Sequence, residues 1–184
     1  GLAAQADVLK VQSDLRFMCH NTPYFTDMVA VDPGGAAAFG SSLVTGSAAP
    51  MLRLVRERMP ELEEHITLWF TQGGDIYLKK SVYEVNVLLH TGVLVARADR
   101  AQMISVLGLD RESEGSLGLL TRYGALLLSN GGMDDRLVQK ALEACGPESR
   151  PVSQVVTLEG ESYWLTVRTD PRAGWRVAHA VPMD

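Results

Sequence analysis

The sequence predicts an α+β fold: a long N-terminal helix followed by two modules, each an antiparallel five-stranded sheet with helices on one face. Three observations lead there. Apolar residues near the N-terminus recur at helical steps of three and four, whereas the later apolar runs are short, rich in Val, Leu and Tyr, and bounded by Gly, Pro or Asp. One order of elements (strand, turn, strand, helix, three strands) can be read twice along the chain. Between the two readings lies Asp110 to Gly115, a polar stretch with no apolar side chain. The expected division is 1–22 for the helix, 23–109 for the first module and 110–184 for the second.

Ala4, Val8, Val11, Leu15 and Met18 form the apolar stripe of the first helix, Ala3 to His20, which Pro23 ends. Such a stripe packs on its own module or pairs with a second copy. Phe25 to Val31 reads as a strand, Asp32-Pro33-Gly34-Gly35 as a tight turn, and the alanine-rich Ala36 to Leu43 as a weak return strand. Pro50 opens a helix to Leu62 with Met51, Leu54, Val55, Met59 and Leu62 on one side. Three strands follow, His65 to Thr71, Asp75 to Glu84 and Leu88 to Ala98, with Gly73-Gly74 turning the first into the second. Asp99 with Gln102 has capping-box spacing for a short helix carrying Met103, Ile104 and Leu107, ended by Gly108.

The second reading begins with Leu117 to Thr121, the turn Arg122-Tyr123-Gly124, and Ala125 to Ser129. A helix from Asp134 to Cys145 carries Leu137, Val138, Ala141 and Leu142 on one face. Gln154 to Leu158, Ser162 to Thr169 and Gly174 to Val181 close the chain. In Ser162 to Thr169 the alternation puts Tyr163, Leu165 and Val167 on one side. Trp164 and Trp175 are expected as core anchors of this second sheet. The phrases MVAVDPGGAAAFGSS and LGLLTRYGALLLSN align across the two readings, as do TGVLVARAD and AGWRVAHAV.

The 184 residues are 46% hydrophobic and 21% charged, ordinary for a globular chain, and the net charge of −5 with no basic patch argues against a nucleic-acid partner. No apolar run reaches the roughly 18 residues of a membrane helix; the longest candidate, Val85 to Ala98, is broken by Asn86, His90, Thr91 and Arg97. The chain opens Gly1-Leu2-Ala3-Ala4 without a starting methionine, and we expect a piece of a larger protein whose membrane helices lie elsewhere. Cys19 and Cys145 allow one disulfide or two buried thiols. His20, His65, His90 and His179 lack metal-ligand spacing, so no metal is expected, and no cofactor either. Nucleophile-elbow, zinc-protease, P-loop and dinucleotide-binding signatures are all missing, and no catalytic residue can be named.

Specific phrases resemble the double Cache (tandem PAS-like) sensor family. Gly92-Val93-Leu94-Val95 with Asp99 and an apolar helix resembles the last strand and exit of a membrane-distal module. Leu119 to Asn130 resembles the family's opening hairpin, and Gly174-Trp175-Arg176-Val177-Ala178 its terminal strand. The resemblance covers nearly the whole chain. It implies the periplasmic or extracellular half of a bacterial histidine kinase, diguanylate cyclase or chemoreceptor, anchored in the inner membrane. It further implies a small ligand in the distal module and a homodimer formed through the N-terminal helix. An intracellular PAS- or GAF-like regulatory or dimerisation domain is the alternative.

Alternation places Tyr77, Lys79 and Ser81 on one face of their strand, Val93, Val95 and Arg97 on one face of theirs, and Thr67 with Trp69 on one face of a third. The candidate ligand-binding residues are Arg97, Lys79, Tyr77, Trp69 and Thr67. An Arg97 under the helix requires an anion, either an internal carboxylate or the ligand. Amino-acid-binding members of the family carry an Arg-x-Trp-Tyr stretch, which is missing here, and an aspartate near the position of Arg97. A basic Arg97 with Lys79 instead suits a carboxylate or other small anion.

Overall fold

The computed structural model describes residues 2–35, 37–41, 48–63, 65–84, 89–110, 114–144, 150–170 and 174–183. Cys145 and the side chains of Met59 and His90 lie outside what is described. The chain divides into two compact units, Gly1–Met103 and Ile104–Asp184. That division falls inside helix α3 (Arg100–Leu107), earlier than the sequence boundary after residue 109. Among the described residues no helix is long and apolar enough to cross a membrane.

The first unit runs α1 (Leu2–Asn21), β1 (Phe25–Val31), β2 (Ala37–Ser41), α2 (Ala48–Glu63), β3 (Thr67–Gln72), β4 (Asp75–Glu84) and β5 (Leu89–Ala98), then enters α3. Its sheet is antiparallel with strand order β2-β1-β5-β4-β3. The two-residue β3–β4 turn needs positive φ at both positions, and Gly73 (59°) and Gly74 (88°) supply it. One face carries Val29, Val31, Leu68, Phe70, Tyr77, Val93 and Val95, packed against Met51, Leu54 and Val55 of α2. The other carries Met28, Ala38 and Ala96 against Leu15 and Cys19 of α1. The first sheet is thus covered on both faces. Val8 and Leu15 of the α1 stripe meet the sheet, while Val11 (41% exposed) and Met18 (43%) flank that contact in solvent.

The α1 crossing is close because β2 presents Gly40 to it. A Cβ there would sit 2.5 Å from the Leu15 carbonyl carbon and 2.6 Å from the Arg16 nitrogen. At the same crossing the Cys19 thiol donates to the Gly40 carbonyl at 3.7 Å. Cys19 is free, and burial first, then the Asp27 charge, pushes its pKa up to about 11. The thiolate is the reactive form, so at pH 8 a Cys145→Ser variant, with Cys19 as its one thiol, should react with a thiol reagent many times more slowly folded than in urea. Equal rates would contradict this packing.

The second unit follows with β6 (Ser116–Thr121), β7 (Leu126–Ser129), α4 (Asp135–Ala144), β8 (Val152–Leu158), β9 (Glu161–Asp170) and β10 (Trp175–Pro182), in sheet order β7-β6-β10-β9-β8. Leu137, Val138 and Ala141 of α4 pack on Leu120, Val156, Leu165, Val167, Ala178 and Ala180. Asp134 caps α4 from outside rather than beginning it: its Oδ1 accepts from the Arg136 and Leu137 backbone N–H groups at 3.0 and 2.9 Å. The Leu137 hydrogen bond is the main reason its pKa lies below the usual carboxylate range.

The expectation for the tryptophans is corrected here. Trp164 is 48% exposed and Trp175 only half-buried. Leu165 and Val167 take the α4 side of β9, and strict alternation turns Trp164 the other way. Aromatic size suggested a core position; strand period decided against it.

Candidate functional site

Strand register assembles a polar row at one end of the first sheet's α2 face. Asp27 lies opposite Arg97, Arg97 opposite Tyr77, and Tyr77 opposite Phe70, one residue from each of β1, β5, β4 and β3. The next row inward is Val29, Val95, Lys79 and Leu68. A bulge between Phe25 and Asp27 sends Phe25 to the α1 side while Asp27 stays in phase with Val29 and Val31.

Asp27 has no exposed surface, and its carboxylate pairs with Arg97 Nη2. The Thr26 hydroxyl donates to Asp27 Oδ2 at 3.0 Å and accepts from Arg97 Nε at 3.3 Å. Of the two anions the sequence allowed for Arg97, the internal carboxylate is therefore present. Arg97 is partly exposed on its other side, where Nη1 lies 3.6 Å from Asp75 Oδ2. Burial lowers the Arg97 pKa, but the charge and hydrogen bond of Asp27, helped by Asp75, raise it further, so the net shift is upward. The guanidinium is a fixed cation.

Tyr77 donates to Asp75 Oδ2 at 3.4 Å, and its ring stacks on Phe70 with centroids 5.3 Å apart. Burial and then the Asp75 charge raise the Tyr77 pKa, so the phenol stays protonated and can donate. From α2, the Arg58 guanidinium stands 4.3 Å over the Phe70 ring. Apolar ring faces and charges of both signs therefore meet at one place, which can orient a small polar molecule with an apolar part.

Three of the five expected residues share this face: Arg97, Tyr77 and Lys79. Lys79 has no exposed surface, and its ammonium donates to the His65 carbonyl and to Ser81 Oγ (2.6 Å). It holds the entry to β3. Thr67 and Trp69 pair with Lys80 and Leu78 and occupy the opposite face. They were grouped with Arg97 because alternation within one strand does not relate it to the next; the observed register sends Leu68 and Phe70 to the α2 side instead. Asp27, Asp75, Phe70 and Arg58 were not anticipated. Asp27 carried a readable signal, a charge in phase with Val29 and Val31 on a strand's buried side.

No family model and no curated protein matches the sequence. Solved structures do match. The extracellular domain of rpHK1S-Z16, named as a histidine kinase, is 19% identical, with a TM-score of 0.62 over 95% of this chain and 77% of that one. The sensory domain of the Campylobacter jejuni chemoreceptor Tlp3 is 11% identical, with a TM-score of 0.57 over 96% and 74%. The ligand-binding domain of Mlp24, solved with asparagine, is 12% identical, with a TM-score of 0.56 over 97% and 76%. The chain therefore has the fold of the extracellular sensory domains of histidine kinases and chemoreceptors, its two five-stranded antiparallel sheets fitting the tandem PAS-like, double Cache architecture.

Proposed function

We propose that the chain is the extracytoplasmic ligand-sensing region of a bacterial transmembrane signalling receptor. On this reading it binds a small carboxylate-bearing molecule on the α2 face of the first unit. The row Asp27–Arg97–Tyr77–Phe70, set into a helix-covered face beside Val29, Val95 and Leu68, carries the proposal. Asp27 and Thr26 fix the Arg97 fork, and among the described residues Nη1 has the loose Asp75 contact, which a ligand carboxylate replaces. The stacked Phe70 and Tyr77 rings support the ligand's apolar part, and Arg58 adds a second cation. Domains of this fold have been solved with asparagine (Mlp24) and isoleucine (Tlp3). An amino acid meets the same requirement, because Asp75 beside Arg97 offers its ammonium a partner.

Binding favours one of two conformations of a dimer, and the shift is passed to an output domain through membrane helices. The exposed Met18 of α1 belongs to the dimer seam in this reading.

A thermal-shift panel of carboxylates (acetate, succinate, malate), amino acids (asparagine, isoleucine) and ethanolamine tests it. A true ligand at 100-fold its Kd should stabilise by about 2.7 kcal/mol. The stabilising compounds should all carry a carboxylate, and Arg97→Lys should reduce their effect because an ammonium lacks the bidentate fork. A panel in which no carboxylate acts, or in which Arg97→Lys responds like the parent, would contradict the proposal.

A further inference from the structure

A groove of about 420 Å³ lies between α1 and the far side of the first sheet, away from the Asp27–Arg97 row. Val8 and Val11 of α1 form one wall, and Ala30, Ala38 and Val82 belong to the other. Val11 and Val82 are 41% and 42% exposed, so apolar surface stays in contact with water in the groove. The size is that of a small-molecule pocket. Among the described residues, the charged ones of its lining are Asp7, from α1, and Asp32, from the β1–β2 turn.

We propose that this groove is a second ligand site, which takes an organic ammonium ion carrying an aromatic or branched apolar group. The apolar part replaces water along Val8, Val11 and Val82, and the ammonium takes Asp7 and Asp32 as counter-charges. A carboxylate is repelled there, so the chemistry is opposite to that of the Arg97 row. Because one wall is α1 and the other the sheet, an occupant bridges them and strengthens the seating of α1.

The site is tested with phenethylammonium, using 2-phenylethanol and phenylacetate as neutral and anionic controls, by titration of the isotope-labelled chain in amide NMR. Phenethylammonium is expected to shift Val82, Thr91 and Ala38 saturably, with 2-phenylethanol weaker and phenylacetate without effect. An Asp7→Asn/Asp32→Asn variant should bind about fivefold more weakly, the scale of two solvent-screened contacts. Thr91→Arg, at an exposed lining position where the hydroxyl donates to the Val82 carbonyl at 3.1 Å, should abolish binding while the chain still melts cooperatively. Arg97→Lys should bind as the parent does, so failure at the carboxylate site would be distinguishable. No saturable shift, equal affinity for 2-phenylethanol, indifference to the aspartate substitutions, or loss in Arg97→Lys would each overturn the proposal.

Discussion

Replacing Arg97 with methionine is expected to destabilise the first unit by about 3 kcal/mol, the low end for a broken buried ion pair because Arg97 is partly exposed. Methionine keeps much of the stem's packing, so the loss comes from the Asp27 carboxylate. That group has no exposed surface, and the substitution takes away the positive charge that Arg97 sets against it. Adding Asp27→Leu removes the stranded charge, and most of the stability should return, as it does when a buried pair is replaced by apolar residues. Ligand response should not return, because it needs the guanidinium. Urea unfolding with an unchanged slope reads the first effect and the ligand thermal shift the second. A double variant that recovers neither stability nor response would mean that Arg97 matters to the fold in some way other than neutralising Asp27.

The second large effect belongs to Gly40. Alanine there places a methyl group 2.5 Å from the Leu15 carbonyl carbon, 2.6 Å from the Arg16 nitrogen and 2.6 Å from Leu15 Cβ. Two of these atoms are helix backbone, which cannot rotate away, so α1 itself must lift off β2. Gly40→Ala is expected to cost about 3 kcal/mol, the upper range for an overpacked core. The damage should be local at first: Leu15 and Cys19 lose burial against Met28, Ala38 and Ala96. Cys19 is the reporter, since lifting α1 exposes the thiol and removes the burial that raises its pKa. The folded Gly40→Ala chain should therefore react with a thiol reagent much faster than its parent; an unchanged rate would show that α1 docks differently.

The order of elements was legible because each has a clear period and clear stops: the Gly73-Gly74 turn, the Asp99 cap with Gln102, and the α4 stripe of Leu137, Val138 and Ala141. End effects were less legible. Helix α2 begins before Pro50, and β8 begins at Val152 rather than Gln154. Within single strands alternation worked: Tyr77 and Lys79 share one face of β4, and Val93, Val95 and Arg97 share one face of β5. Between strands it failed, because register follows from turn geometry and from a bulge that the sequence does not mark. Thr67 and Trp69 share a face of β3, and register puts that face on the other side of the sheet from Arg97. Asp75 was not legible because register pairs it with Gln72, and only its side chain reaches Arg97, the cation opposite Tyr77.

The most direct measurement of the sensing account is a crystal structure of the chain with the most stabilising carboxylate of the panel. That molecule should lie on the α2 face of the first unit, over the Phe70–Tyr77 ring pair, with its carboxylate within hydrogen-bond distance of Arg97. A ligand bound in the second unit or against α1, with the Arg97 row unoccupied, would contradict it.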